Sequence, residues 1–230
     1  MLKAVLFDLY DTLIYIEIEA YLKGRERLAA ALGVSTEFLF SLWRKHIHAR
    51  FTGKILTLED MIKVAAGELG ITLDAEVIKE LAREEQENLL SSVNPYPDTG
   101  NLLAYLKSKG LKICLVSNAS QASAPVLSKV NLERYFDAVV FSFQIGITKP
   151  EPAIYHEALK RLDVKPEEAL FVGDGASEEL EGAERAGIKA LKVVQDYQDK
   201  TFHRNDYKGT RVLNLSGVMD FIRKQICNET

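Results

Sequence analysis

Asp8 is the residue of this sequence whose position most favours covalent chemistry. It follows the apolar run Ala4–Phe7 and opens the segment Asp8–Leu13, which reads DLYDTL. A short apolar run bounded in this way predicts a buried strand, so the strand delivers a carboxylate into a turn. A carboxylate held there can act as a nucleophile that forms a covalent intermediate. We therefore predict that Asp8 is a nucleophile.

Two further polar segments could contact an anion. Ser117 and Asn118 come directly after the run 113–116 and offer a hydroxyl and an amide that could hydrogen-bond an oxyanion or a halide. The same dipeptide is also a common way to end a strand. Lys149, in the sequence TKPEP, could neutralise developing negative charge. A lone lysine before proline is, however, usually solvated.

The segment Gly173–Glu179 is an acidic loop that opens a helix. It follows the apolar run Ala169–Val172 and contains Asp174, Glu178 and Glu179. Clustered carboxylates favour a hard divalent cation such as Mg²⁺. Acidic residues also stabilise a helix N-terminus without any metal. Both interpretations stay open for this loop taken alone.

Strands and helices alternate from Pro95 onward. We predict strands at Leu111–Val116, Ala138–Phe141, Ala169–Val172, Ala190–Val194 and Val212–Leu215, with helices such as Ala153–Leu162 between most of them. This βαβ alternation predicts an α/β fold with a Rossmann-like, doubly wound parallel sheet. Because ligands of such sheets bind at the carboxyl ends of the strands, the four polar segments stand at the predicted binding edge.

Residues 16–92 interrupt this alternation with helical periodicity. Leu58, Ile62, Ala65 and Leu69 recur at helical spacing, and Gly70 stands where a C-cap would end that helix. The pattern predicts an inserted helical unit of four or five helices. The domains are therefore expected to be a core of residues 1–15 plus 93–230 and an insertion of residues 16–92.

The composition is that of a globular protein without a surface for polyanions. The 230 residues are 47% apolar and 27% charged, with a net charge of −4. These values exclude disordered and fibrous classes and argue against nucleic acid or membrane partners. The two cysteines match neither a zinc spacing nor a disulfide framework. No apolar run approaches the length of a membrane span and no signal-peptide pattern follows Met1, so we expect a cytoplasmic protein, with a homodimer as one option for its assembly.

The polar segments together resemble the ordered motifs of the haloacid dehalogenase superfamily of hydrolases. The resemblance covers the whole chain and rests on Asp8 with Thr12, then Ser117, then Lys149, then Gly173-Asp174, with Gly182-Ala183 and Ala186-Gly187 beyond them. The helical insertion resembles the cap that the family places after its first strand. The sequence departs from the family at Tyr10, which replaces the second Asp of the D-x-D-x-T motif. Asp11 follows one residue later.

Read as a phosphatase of this family, the chain is expected to hydrolyse a small phosphomonoester. The resemblance implies Mg²⁺ on Asp8, the Tyr10 carbonyl and Asp174, phosphoryl oxygens on Ser117 and Lys149, and support of the nucleophile loop by Thr12. The missing Asp is the family's general acid, a role worth about 10²–10⁴ in rate. Tyr10 would replace it weakly, because an ordinary tyrosine pKa of about 10 keeps the phenol protonated at neutral pH. Asp11 is the other option.

A 2-haloacid dehalogenase is the second interpretation, because a halide leaves without a proton. The L-2-haloacid dehalogenases of the family carry a similar tyrosine segment, and their substrate contacts resemble Tyr10, Arg44, Asn118 and Tyr155 here, together with Lys149. Those enzymes are metal-free and lack the acidic fourth motif. We rank the phosphatase first, because Asp174 would repel Asp8 unless a cation lies between them or one of the two is protonated, and a metal site is the simpler solution. A binding or regulatory protein with vestigial chemistry is the third interpretation.

The basic stretch of the insertion is the expected place for contacts to an anionic substrate tail. It contains Arg44, His46, His48 and Arg50. We predict that Arg44 reaches the substrate and that the other three form a solvated face.

Overall fold

The structure is a computed structural model that describes residues 1–195 and 207–227. A parallel sheet forms the centre of the fold. Its strands, with one short extra pair, are β1 (Ala4–Phe7), β2 (Ile14–Ile16), β3 (Val93–Pro95), β4 (Lys112–Ser117), β5 (Ala138–Phe141), β6 (Ala169–Gly173), β7 (Lys189–Val194) and β8 (Arg211–Leu213). Within the described residues the main sheet has the order β5-β4-β1-β6-β7-β8, and every pairing in it is parallel.

Helices cover both faces of this sheet and form the insertion. They are α1 (Ile18–Lys23), α2 (Glu26–Ala31), α3 (Thr36–Lys45), α4 (Ile47–Phe51), α5 (Leu58–Glu68), α6 (Ala75–Ser92), α7 (Thr99–Ser108), α8 (Val126–Lys129), α9 (Ser142–Ile145), α10 (Pro152–Leu162), α11 (Glu179–Arg185) and α12 (Asn214–Cys227). In the described part of the chain, no helix is both long and apolar enough for a membrane crossing. The expected location and partners stay predictions.

The period of two along β1 divides the core into two layers. Val5 and Phe7 pack into a cluster with residues of α7 and α12, whereas Ala4 and Leu6 pack into a second cluster with residues of α10 and α11. All four side chains are fully buried, as expected for a strand with helices on both faces. The predicted α/β fold with a doubly wound parallel sheet is confirmed.

The insertion has a hydrophobic core of its own. Leu39, Trp43, Met61 and Leu81 belong to a buried cluster whose members all lie between residues 28 and 82. Helices α1 to α6 exceed the four or five expected, because glycines and polar breaks divide the stretch more finely than its periodicity indicates. The domain limits themselves stay a prediction.

The antiparallel pair of β2 and β3 was not predicted. It aligns Ile14 with Pro95 and Ile16 with Val93 where the chain enters and leaves the insertion. A pairing of three residues on each side is too short to give a periodic signal. The predicted last strand was too long, because Asn214 adopts φ 49° and its Oδ1 accepts a hydrogen bond from the Gly217 N–H at 3.1 Å, which starts α12.

The strand order brings the polar segments to one edge. β1 lies between β4 and β6, with Phe7 level with Leu115 on one side and Val172 on the other. The carboxyl ends of these three neighbouring strands therefore deliver Asp8, Ser117 and Asp174 to one place.

Candidate active site

A tight turn after β1 holds Asp8 at the sheet edge. Asp8 is 6% exposed, and its N–H donates to a carbonyl of β6 at 3.0 Å. The Leu9 carbonyl accepts from the Ile14 N–H at 3.1 Å, and the Asp11 N–H donates to the Ile14 carbonyl at 2.7 Å. These turn bonds do not involve the Tyr10 carbonyl, which is the backbone oxygen predicted as a metal ligand.

Lys149 joins Asp8 to a second buried carboxylate. Its Nζ donates to Asp8 Oδ1 at 2.5 Å and to Glu179 Oε2. The backbone of Lys149 is held by Asn118, whose Oδ1 accepts from the lysine N–H at 2.7 Å and whose Nδ2 donates to the lysine carbonyl at 3.0 Å. The Asn118 amide therefore positions Lys149, a role that differs from the predicted substrate contact.

Three carboxylates meet at this point. Oxygen atoms of Asp8, Asp174 and Glu179 all lie within 4.8 Å of one another, and all three residues are buried. Glu179 Oε1 accepts from the Gly175 N–H at 3.0 Å, and Asp174 Oδ1 accepts from the Ala176 N–H at 3.2 Å. The acidic loop is thus folded inward onto Asp8.

The glycine that ends β6 permits this arrangement. A Cβ at Gly173 would lie 2.1 Å from Glu179 Oε1. Because Glu179 is fixed by hydrogen bonds at both oxygens, its carboxylate could not retreat without releasing Lys149. A side chain at Gly173 would therefore disrupt the cluster.

The buried charges of this cluster act on one another. Lys149 is in contact with two of the three carboxylates, those of Asp8 and Glu179. Burial raises the pKa of Asp8 and of Glu179, with Lys149 opposing and the other carboxylates adding to the rise. Burial alone would lower the pKa of Lys149, but Asp8 and Glu179 outweigh it and the lysine stays charged.

The donor set fits a hard divalent cation. Mg²⁺ prefers oxygen ligands and is usually held by one or two carboxylates. Both oxygens of Glu179 already accept hydrogen bonds from the protein. Asp8, Asp174 and the Tyr10 carbonyl are therefore the groups that suit the ion, as the motif resemblance implied.

Ser117 and Thr12 are both buried, but they differ in whether a ligand could reach them. A cleft opens at the carboxylate cluster, and Ser117 lines it. Among the described residues, the Ser117 Oγ has no hydrogen-bond partner. Leaving such a group unpaired costs about 1–3 kcal/mol, which a ligand oxygen would recover. Thr12 is not among the described residues that line the cleft, and its carbonyl accepts from Gln195 Nε2 at 2.7 Å. Its position agrees with the predicted support of the nucleophile loop.

Tyr10 lies in the cleft with its hydroxyl directed at another side chain. The hydroxyl donates to Ser123 Oγ at 3.0 Å, and burial raises the pKa of Tyr10 to about 12. At neutral pH the phenol therefore keeps its proton and cannot serve as a base. Asp11, which also lines the cleft, adopts φ 57° at the turn.

Arg44 does not reach the site, contrary to the prediction. It is exposed on α3 and is not among the described residues that line the cleft. Helix α3 ends at Lys45 and α4 begins after His46, which breaks the helical phase of the basic stretch. Arg50, on α4, lines the cleft instead and donates from Nη2 to Ser120 Oγ at 3.2 Å.

Tyr155 also lies elsewhere than predicted. It is fully buried under the cluster, its hydroxyl donates to the Glu179 carbonyl at 2.6 Å, and its ring meets Phe171 edge-on at 5.3 Å. Because the hydroxyl is committed to the backbone of α11, Tyr155 positions Glu179 and does not contact a substrate in the cleft.

The sequence did not predict that Glu179 pairs with Lys149, nor which residues complete the lining of the cleft. Glu179 was noted only as part of an acidic loop, although its five-residue spacing from Asp174 returns it to the strand end. The residues that complete the lining of the cleft include Tyr21, Ser120 and Ser123. Ser120 precedes and Ser123 ends a single 3-10 turn, Gln121–Ser123, which is too short for any periodicity to indicate which side chains point inward.

Known proteins resemble this chain in sequence and structure. A family model described as haloacid dehalogenase-like hydrolase matches residues 2–187. The glyceraldehyde 3-phosphate phosphatase of Methanothermobacter thermautotrophicus is 30% identical over 84% of this chain and 86% of its own. The (S)-2-haloacid dehalogenase of Pseudomonas putida is 24% identical over 96% of each chain.

A solved structure agrees with these relatives. The 2-haloacid dehalogenase from Pseudomonas syringae pv. Tomato DC3000 is 26% identical and superposes with a TM-score of 0.71, covering 98% of this chain and 100% of that one. The resemblance inferred from the ordered motifs is confirmed. This chain belongs to the haloacid dehalogenase-like hydrolase family and is a hydrolase.

Proposed function

We propose that this hydrolase is a Mg²⁺-dependent phosphatase of small phosphomonoesters that uses Asp8 as its nucleophile. The observation that carries the proposal is the cluster of three buried carboxylates, Asp8, Asp174 and Glu179, whose oxygen atoms lie within 4.8 Å of one another. A cation bound by these carboxylates would reduce their repulsion of one another and of an anionic substrate. The cleft encloses about 390 Å³, which suits a small substrate.

The reaction follows from the positions of these groups. An Asp8 oxygen attacks phosphorus, the bond to the ester oxygen breaks, and the leaving oxygen takes a proton from a solvent water to become the alcohol. Water then cleaves the resulting acyl phosphate, which releases phosphate and restores Asp8. Lys149 and Ser117 hold phosphoryl oxygens during both steps. When bound by Asp8, Asp174 and the Tyr10 carbonyl, Mg²⁺ supplies charge that offsets the phosphoryl oxygens.

A 2-haloacid dehalogenase is the second candidate. It is favoured by Tyr10, which leaves the position of the general acid without a carboxylate, and by relatives that carry that name. It is disfavoured because Arg44 is exposed on α3 and the Tyr155 hydroxyl is bound to the Glu179 carbonyl. Two of the side chains on which the dehalogenase interpretation rests therefore lie away from the cleft.

Metal binding tests the proposal without any substrate. Titration calorimetry on the metal-free protein should show one Mg²⁺ bound per chain. Asp174→Asn, which removes a charged ligand, should weaken this binding by at least about 10-fold. Glu178→Gln is the matched control, since Glu178 is an exposed carboxylate of the same loop and lies outside the cluster. Equal affinities in wild type and Asp174→Asn would contradict the metal assignment.

The missing general acid makes a separate prediction. Tyr10→Asp should raise kcat on an alkyl phosphate by about 10²-fold, because a poor leaving group needs a proton. The same variant should change kcat on p-nitrophenyl phosphate much less, because nitrophenolate leaves unprotonated. Tyr10→Phe, which removes only the hydroxyl, should not reproduce the gain. An unchanged alkyl phosphate rate in Tyr10→Asp would show that Asp11 already serves as the acid.

A further inference from the structure

Arg50 places a positive charge in the cleft without a carboxylate to match it. Its Nη2 donates to Ser120 Oγ at 3.2 Å, and among the described residues no carboxylate oxygen lies within 4.0 Å of its guanidinium. Burial lowers the pKa of Arg50, but a guanidinium keeps its charge in proteins. The cleft therefore offers a cation that no carboxylate of the described residues contacts directly.

The acidic group whose charge acts on Arg50 is Glu85, which has partners of its own. Glu85 accepts from Arg25 Nε at 3.1 Å, pairs with Arg25 Nη2 at 2.9 Å and accepts from the Tyr21 hydroxyl at 2.9 Å. Arg25 lies between aromatic rings, with its guanidinium 5.1 Å from Tyr21 and 4.7 Å from Trp43. Both members of this pair are buried, so Glu85 makes its contacts with Arg25 and Tyr21 and acts on Arg50 only through its charge.

Two buried hydroxyls stand beside Arg50. Ser120 accepts from Arg50, and Ser123 accepts from the Tyr10 hydroxyl. Each serine therefore keeps its own proton for donation, and the described residues provide no acceptor for either hydroxyl. One guanidinium and two hydroxyl donors suit a carboxylate, whose two oxygens accept several hydrogen bonds.

This donor set and the carboxylate cluster belong to the same small cleft. Tyr10 lies close enough to both groups that the charges of Asp8 and of Arg50 both act on the pKa of its hydroxyl. Ile47, Phe51 and Leu89 complete the walls near Arg50. A ligand in this space would have its phosphoryl group at Asp8 and a second group at Arg50, with room for only a short chain between them.

We propose that Arg50, with Ser120 and Ser123, binds the carboxylate of the substrate, and that the substrate class is the monophosphate ester of a short hydroxy carboxylic acid. This inference rests on the proposed phosphatase function. It gives Arg50 the role of a specificity residue, whereas Asp8 and Lys149 act on the phosphoryl group of any ester that fits.

The test compares two esters of similar size, 2-phosphoglycolate and ethyl phosphate, of which only the first has a carboxylate. Arg50→Gln should lower kcat/KM for 2-phosphoglycolate by about 10²-fold, as expected when a buried polar partner is lost, and change kcat/KM for ethyl phosphate by less than about 3-fold. Arg50→Lys should recover part of the loss, because it restores the charge without the planar fork. The matched control is Arg83→Gln, an exposed cap arginine paired with Glu87.

Three results would overturn the carboxylate site. They are equal losses for the two esters in Arg50→Gln, a wild-type enzyme without preference for the acid, and loss of that preference in Arg44→Gln instead. Calorimetry on the Asp8→Asn protein separates this failure from that of the phosphatase proposal. Arg50-dependent binding of 2-phosphoglycolate with no hydrolysis by the wild type would retain the site and reject the reaction. Binding of both esters with equal affinity would reject the site.

Discussion

Asp8→Asn should lower the turnover of p-nitrophenyl phosphate by at least about 10⁴-fold, because the amide cannot form the covalent intermediate. The change is nearly isosteric, and Lys149 keeps its contact with Glu179. The fold should therefore survive. Steady-state kinetics with a thermal melt of the same preparation measures both effects together.

The control for this loss is Asp220→Asn. Asp220 is an exposed carboxylate on α12 that pairs with Arg223, and its replacement should leave turnover unchanged. Turnover of Asp8→Asn within about 10-fold of the wild type, with a normal melt, would remove Asp8 from the nucleophile role. An Asp8→Asn protein with unchanged activity and binding would favour a binding or regulatory protein.

Lys149→Met should cost both stability and activity. The substitution leaves Asp8 and Glu179 buried without their shared cation, and breaking such a pair lowers the free energy of unfolding by about 3–5 kcal/mol at neutral pH. Chemical denaturation of the metal-free protein measures this cost. Turnover should be lost as well, since Lys149 is the cation in contact with Asp8, the proposed nucleophile.

The cost of Lys149→Met should depend on pH in a defined direction. Burial already raises the pKa of Asp8 and Glu179, and loss of the lysine raises each further. A group with a raised folded-state pKa stabilises the protein below its unfolded pKa, and this contribution disappears as the pH rises through the folded pKa. The stability difference between variant and wild type should therefore be smallest at acidic pH and grow toward neutral pH.

Lys112→Met provides the comparison for this series. Lys112 is an exposed lysine at the amino end of β4, opposite to the active-site edge, and its Nζ donates to the Leu162 carbonyl. Its replacement should give a small stability change without this pH dependence. A Lys149→Met protein as stable as the wild type at neutral pH would mean that the carboxylates of the cluster are protonated there.

The sheet and the catalytic edge could be predicted because their signals are local. A run of apolar residues predicts each strand, and a parallel sheet brings strand ends together whatever the distance along the chain. The sequence alone therefore predicts that Asp8, Ser117 and Asp174 lie side by side. Lys149 was expected at the same edge, and its contact with Asp8 agrees with that expectation.

The residues of the cap could not be assigned in the same way. Whether Arg44 or Arg50 reaches the cleft depends on the break between α3 and α4 at His46, whose Nε2 lies 2.9 Å from Glu68 Oε1. A break of one residue leaves little trace in the periodicity. The packing of the cap against the core, which decides the direction of Arg50, depends on contacts between residues distant in sequence.

The most direct test of the central claim is a paired assay of the wild-type protein. Phosphate release from p-nitrophenyl phosphate and chloride release from 2-chloropropionate are each measured with Mg²⁺ and with EDTA. We expect phosphate release that requires Mg²⁺, stops with EDTA and is absent in Asp8→Asn, with no chloride release under either condition. Chloride release that persists in EDTA, without phosphate release, would contradict the account and assign the cleft to dehalogenation.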